Sequence, residues 1–290
     1  ADFSTLILAR ESVPLLGVIN QAIVAPLHGP KVALDRFSVV ADTDTPLAQV
    51  SEAILPDTFA KIGQNIADLC DAGDTLQFGL GNVQQAVLQA LQNHHDLHIH
   101  AGMISTPLVE LLDRNVIAAD YGAITTGVAI GTTEFYDRVV TEGRILFAPV
   151  TYTHAISTLA DIKNFKAINS CLEVDLFGQA NAEFIKGRQI SGTGGLVDFL
   201  RGAAVSPSGR GILALASSAK HGTISRIIPR LPQDATSIAR ADVDTVVTEH
   251  GVAELKHKTI EERAEALISI ADPSFHEALS TAWQDMRKGF

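Results

Sequence analysis

Two carboxylates stand two residues apart, at Glu173 and Asp175, in the stretch Ala167-Ile168-Asn169-Ser170-Cys171-Leu172-Glu173-Val174-Asp175-Leu176-Phe177-Gly178-Gln179. The alternation predicts a strand that runs into a glycine turn. Leu172, Val174 and Leu176 fall on one face, and Glu173, Asp175 and Phe177 on the other. A carboxylate held close to an activated carbonyl and stripped of water can attack it. The plain alternative is a half-exposed strand with solvated acids. Asp175 either disfavours the charge on Glu173 by like-charge repulsion or caps a neighbouring N–H. Cys171 has the parity of Glu173 but no nearby histidine to activate it, and reads as a small core or cleft residue.

Two glycine-rich stretches flank these acids. Gly192, Gly194 and Gly195 precede a helix-like run containing Val197 and Leu200. Lacking side chains, they let a ligand reach the backbone, or they form a capped turn. Gly79 and Gly81 end a short strand, Thr75 to Phe78, before the helical VQQAVLQALQNH. Such a unit presents backbone N–H groups at a helix N-terminus, and it also serves as a tight packing turn. It is no dinucleotide fingerprint: the third glycine is absent and no acidic residue closes a second strand, so a Rossmann-type dehydrogenase is disfavoured. His98 and His100 share a strand face. Metal centres of that kind need three or four ligands, and no partnering set follows, so no metal is expected.

The elements that must position these residues alternate. Phe59, Ile62, Ile66 and Leu69 recur at helical spacing over 56–72, with a proline at the start and Gly73 at the end. Helices are predicted over 107–117, from Glu134, and over 260–270. Strands are predicted at 123–130, 145–150, 211–215 and 245–248. Residues Leu6 to Leu16 are apolar, VINQAIVAP reads as a strand or short helix, and His28-Gly29-Pro30 marks a turn. The polar Asp42-Thr43-Asp44-Thr45-Pro46 reads as a linker. The fold class is therefore α/β, an open, mainly parallel sheet flanked by helices.

Composition sets outer limits. The chain has 290 residues, 46% hydrophobic and 19% charged, with a formal net charge of −11. That supports a sizeable core and argues against general nucleic-acid binding, which needs a basic face. Two cysteines do not make a disulfide framework. No apolar run is long enough to span a bilayer, and the start lacks signal-like features, so a soluble, cytoplasmic protein is expected.

The pair INSCLEVDLFGQANAE and SGTGGLVDFLRGA resembles the acetyl-CoA hydrolase/transferase family. The similarity continues through SSAKHGTISRIIPRL, ARADVDTVVTEHGVAEL and ERAEALISIADPSF. The resemblance implies a C-terminal catalytic domain over 46–290, with 1–45 resembling the end of the family's N-terminal α/β domain, most of which is absent from this chain. It maps the catalytic nucleophile onto Glu173 and an oxyanion-binding N–H onto Gly251 of the Glu249-His250-Gly251 turn. The implied chemistry is CoA exchange between short-chain carboxylic acids through a glutamyl-CoA thioester. Coenzyme A and its thioesters are then substrates, and no tightly bound cofactor is needed. Gly79, Gly81, Gly192, Gly194 and Gly195 would lie along the CoA cleft. Lys220 and Arg226 could neutralise CoA phosphates or simply sit in a surface loop. The loop after His100 departs from the family pattern, with Ala101-Gly102 and Thr106-Pro107. Hydrolysis of acyl-CoA is the alternative reaction. A silent CoA-binding or assembly subunit, completed by a separate chain carrying the first domain, is the alternative role. The family resemblance also implies a homo-oligomer.

Overall fold

The computed structural model describes residues 14–29, 31–232 and 236–289. The apolar run from Leu6 therefore lies mostly outside the described residues, as does Pro30. Nine strands organise the site: β1 (Thr75–Gln77), β2 (His98–Ser105), β3 (Ile124–Ile130), β4 (Ile145–Phe147), β5 (Phe165–Ser170), β6 (Glu173–Asp175), β7 (Arg210–Ala214), β8 (Thr245–Thr248) and β9 (Gly251–Glu254). All but β6 join one eight-stranded sheet in the order β9-β8-β7-β5-β1-β2-β3-β4. Every neighbouring pair is parallel except the edge hairpin β8–β9. The mainly parallel α/β expectation is met.

The strand order carries a reversal. From β1 the chain winds outward through β2, β3 and β4. It then returns to the other side of β1 and winds the opposite way through β5, β7 and β8. In open α/β sheets such a switch point leaves a crevice at the carboxyl ends of the two strands. Here those ends are Gln77 of β1 and Ser170 of β5.

Helices cover the sheet with their periodic apolar faces. They are α1 (Asp57–Ala67), α2 (Asn82–Ala90), α3 (Leu108–Asp113), α4 (Thr133–Thr141), α5 (Val150–Thr153), α6 (Ile156–Asp161), α7 (Leu196–Val205), α8 (Ile260–Ser269) and α9 (His276–Arg287). Helix α1 buries Ile62 and Ile66 completely, with Phe59 and Leu69 packed partly against the same core. This is the stripe its spacing predicts, although the helix ends at Ala67. Helix α8 starts at a capping box, in which Thr259 and Glu262 satisfy each other's backbone N–H groups. It buries Ala264 and Leu267.

Several expectations change. The chain from Ala167 to Phe177 is not one strand. It leaves the large sheet after Ser170, bends at Cys171 and Leu172, and re-forms as β6 in a separate sheet between Ile227–Ile228 and Ala180–Asn181. Both faces of β6 are covered, with Val174, Asp175 and Leu176 all at 0% exposure. Alternation cannot report such a break, because the side-chain parity runs on through it. The polar stretch from Asp42 is not all linker, since Asp42 and Thr43 close a strand, Val39–Thr43, paired in parallel with Leu16–Asn20. The helix over 107–117 is shorter, Leu108–Asp113.

Asp175 is the polar centre of the small sheet. Its Oδ1 accepts the N–H groups of Phe177 (3.1 Å) and Gln179 (3.0 Å), and its Oδ2 accepts Gln179 Nε2 (2.9 Å) and the N–H of Leu231 (3.2 Å). Of its two sequence readings, the capping one fits. Removing a charged acceptor leaves several buried N–H groups without partners. Asp175→Ala is expected to lower stability by about 3 kcal/mol or more. Urea unfolding of the two proteins checks this, and a shift under ~1 kcal/mol would refute the structural role.

Candidate active site

A cleft of about 600 Å³ opens at the switch point, a size suited to a small organic ligand. Gln77, Asn169 and Ser170 line it from the strand ends, Gly79 and Gln84 from the turn and helix after β1, and Gly192, Gly194 and Gly195 from the loop before α7. Gln77 and Asn169 join across the reversal. Asn169 Nδ2 donates to Gln77 Oε1 at 2.8 Å, and Gln77 Nε2 returns a longer bond to Asn169 Oδ1 at 3.4 Å. Both side chains are buried, at 2% and 7% exposure.

Glu173 stands three residues beyond the end of β5, partly buried on β6. Its Oε2 accepts Asn181 Nδ2 at 2.9 Å. Asn181 is itself fixed: its Nδ2 also donates to Phe184 O, and its Oδ1 accepts the N–H groups of Glu183 and Phe184. Glu173 Oε1 has no hydrogen-bond partner among the described residues. Ser170 and Ala182, the neighbour of Asn181, line the cleft, whereas Glu173 is not among its lining residues.

The Glu249-His250-Gly251 turn is the tip of the β8–β9 hairpin, and Gly251 has φ 144°, where glycine is favoured. Glu249 accepts the N–H (2.9 Å) and Oγ (2.8 Å) of Ser217. Ser217 O accepts the N–H of Arg226, and Arg226 O accepts the N–H of Val174. The hairpin tip is thus tied to the Glu173 strand through two intervening segments, with Gly251 outside the cleft lining.

The other expected residues separate. Gly81 borders a smaller neighbouring cavity with Asn82. Arg226 is half-buried; its Nη1 donates to Leu172 O at 3.3 Å, and it borders a small cavity beside Cys171. Burial pushes the Cys171 thiol up to about 12, with Arg226 opposing the shift, so it is protonated at neutral pH and not poised for attack. Lys220 is exposed at the tip of a hairpin joining Ser218–Ala219 to Ile224–Ser225. His98 Nε2 lies 3.8 Å from Asp120, and His100 Nε2 bonds Thr153 O at 2.9 Å, so the two rings serve different partners.

His154 and Gln84 were not singled out by sequence. The His154 ring packs on Phe199 with centroids 4.5 Å apart, bonds Thr153 Oγ1 at 2.8 Å, and fills the space where Gly102 and Gly195 lack a side chain. A Cβ on Gly195 would collide with that ring. Gln84 carried a legible signal, since it sits on the apolar stripe of α2 beside Val83, Val87 and Leu88.

The family model for the acetyl-CoA hydrolase/transferase C-terminal domain matches residues 131–283, more than half of the chain. The chain belongs to the acetyl-CoA hydrolase/transferase family. It is 41% identical over 278 residues to a 4-hydroxybutyrate coenzyme A transferase of Clostridium kluyveri, covering 93% of this chain and 65% of that enzyme. It superposes on the crystal structure of RipA from Yersinia pestis with a TM-score of 0.90 at 32% identity, covering 99% of this chain and 66% of that one. An acetyl-CoA hydrolase of Candida albicans is 29% identical over 67% of this chain and 37% of its own length. The chain thus spans less than two thirds of the length of these relatives.

The three loop glycines differ in surroundings. A Cβ added at Gly192 would meet nothing within 4 Å, and its φ is not positive; Gly194 has open space but φ +53°; Gly195 faces His154. Gly192→Ala is expected to be neutral, Gly194→Ala to lose about 1 kcal/mol, and Gly195→Ala to lose about 1–3 kcal/mol. Thermal melts of the three variants check the order, and equal losses would contradict it.

Burial holds the His100 imidazole below its ordinary value, with His154 adding to the shift and the bond to Thr153 O opposing it. Below about pH 6.5 the unfolded chain takes up a proton that the folded chain resists. Stability therefore falls as pH drops through that value, until the folded group also titrates. Wild type should lose more stability between about pH 7.5 and 5.5 than His100→Gln. Parallel denaturant titrations test this, and identical pH slopes would refute it.

Proposed function

We propose that this chain carries the nucleophile of an acyl-CoA:carboxylate CoA-transferase acting on short-chain acids, with Glu173 as that nucleophile. The observation that carries the reading is the placing of Glu173: it stands three residues past the switch-point strand whose end, Ser170, lines the cleft, and it bonds to Asn181 next to the lining residue Ala182, with its other carboxylate oxygen without a partner among the described residues. The CoA-transferase names of its relatives support the same chemistry.

In this reading Glu173 Oε1 attacks the thioester carbonyl of an acyl-CoA. The C–S bond breaks, leaving an acyl-glutamyl anhydride and CoA thiolate. The thiolate then attacks the glutamyl carbonyl, which releases the carboxylate of the acyl group and leaves a glutamyl-CoA thioester. An acceptor carboxylate reverses the sequence. The thioester is conserved, so no external energy source enters, and the kinetics are ping-pong. Each tetrahedral step needs N–H donors on its oxyanion. Asn181 Nδ2 is aimed at one Glu173 oxygen, and Gly251 is the proposed backbone donor. The glycines of the 192–195 loop and Gly79 let CoA approach the backbone. Resolution by water in place of the acceptor acid would give acyl-CoA hydrolysis, the activity named for the Candida relative.

Intact-mass spectrometry after brief incubation with acetyl-CoA or butyryl-CoA tests the proposal. A CoA-sized adduct is expected on wild type and none on Glu173→Ala, with exchange into a second acid lowered by roughly 10³-fold or more. An adduct that survives in Glu173→Ala would sink the assignment. CoA released without any added acid would favour hydrolysis.

A further inference from the structure

We infer that Gln84 marks a subsite in the cleft wall for a secondary amide of the pantetheine arm of CoA. This reading rests on CoA occupying the cleft.

Gln84 is only 4% exposed, yet its Oε1 has no hydrogen-bond partner among the described residues. An amide oxygen left buried and unpaired is disfavoured. Nothing in the packing of α2 requires a polar group there, since Val83, Val87 and Leu88 beside it are buried and apolar. The two other buried amides of the cleft, Gln77 and Asn169, bond to each other. Gln84 is thus the wall amide left for a ligand.

Its surroundings make the approach possible. The side chain runs beneath the Gly79-Leu80-Gly81 turn: Cβ atoms at Gly81 and Gly79 would stand 3.4 Å from Oε1 and 4.0 Å from Nε2. Oε1 is closed to solvent beneath that turn, and the missing side chains leave the turn's backbone, rather than a Cβ, for a ligand to press against.

The lining also selects the part of the ligand. No Lys or Arg lines the cleft among the described residues, and Asp198 adds negative charge at its rim. Phosphate groups gain nothing there. CoA is anionic at its nucleotide end, but its pantetheine arm is an uncharged chain of methylenes with two secondary amides. A side-chain amide presents an acceptor or, turned over, a donor, so either end of Gln84 finds its complement on such an arm.

The test uses the full chain and Gln84→Leu, with calorimetric titration of pantetheine, of adenosine 3′,5′-bisphosphate and of 4-hydroxybutyrate. Pantetheine binding should weaken roughly 3–10-fold in the variant, while the bisphosphate is unaffected. The unliganded variant should melt no lower than wild type, because it removes an unpaired buried amide. Unchanged pantetheine affinity would overturn the inference, as would a lower melting temperature without loss of affinity. Weaker hydroxy-acid binding with pantetheine unaffected would move the donor to the acyl group and overturn the pantetheine assignment. These outcomes separate from the nucleophile test. An adduct on Glu173 with unchanged pantetheine binding refutes the subsite alone. Gln84-dependent pantetheine binding without an adduct refutes the nucleophile alone.

Discussion

The reversal of winding between β1 and β5 is the constraint on which the site depends. Strands on either side of a switch point send their following segments to opposite faces of the sheet, so no crossover helix fills the gap between their ends. The segment after β1 turns at Gly79–Gly81 into α2, and the segment after β5 turns at Cys171–Leu172 toward Glu173. The Gln77–Asn169 pair spans the gap at its floor. Two amides that satisfy each other can be buried at a lower cost than a single unpaired one. The floor is thus polar without being charged.

The second sheet solves a separate problem. A carboxylate on a long sheet strand shares the pleat with its neighbours and is oriented by their pairing. By leaving the sheet after Ser170 the chain frees Glu173 from that register and anchors it to new partners. These are Asn181 on one side and, through the N–H of Val174, the backbone of Arg226 on the other. Asp175 then places its own charge inside the turn that follows. Two neighbouring acids with the same parity therefore sit in different surroundings: Asp175 is fully buried and bonded on both oxygens, while Glu173 is partly buried and bonded to Asn181 through one.

Much of the architecture was legible because it is periodic. The α1 stripe of Phe59, Ile62 and Ile66 and the strand–turn–helix at Thr75 to Ala90 follow the expected pattern, and at Gly251 the strand and turn were legible while the returning strand of the hairpin was not. The break at Cys171 was hidden because alternation continued through it. The Gln77–Asn169 bond was hidden because it joins residues 92 apart in the chain. His154 was hidden for a different reason: its place depends on an absence of side chains at Gly102 and Gly195, and only folding brings those two glycines to one ring. Gln84 was visible as a polar residue on an apolar helix face, but its meaning needed the cavity. Lys220 shows the converse, a basic residue of suitable type whose hairpin carries it out of the cleft lining.

Asn181 has one more consequence. Both N–H bonds of its amide and both lone pairs of its oxygen are in use, three of the four on backbone groups of its own turn. It cannot flip or swing when the group it faces changes. Any group at Glu173 in the proposed chemistry, whether carboxylate, anhydride or thioester, would meet the same N–H in the same direction, so the energy of orienting that dipole is spent once, when the chain folds.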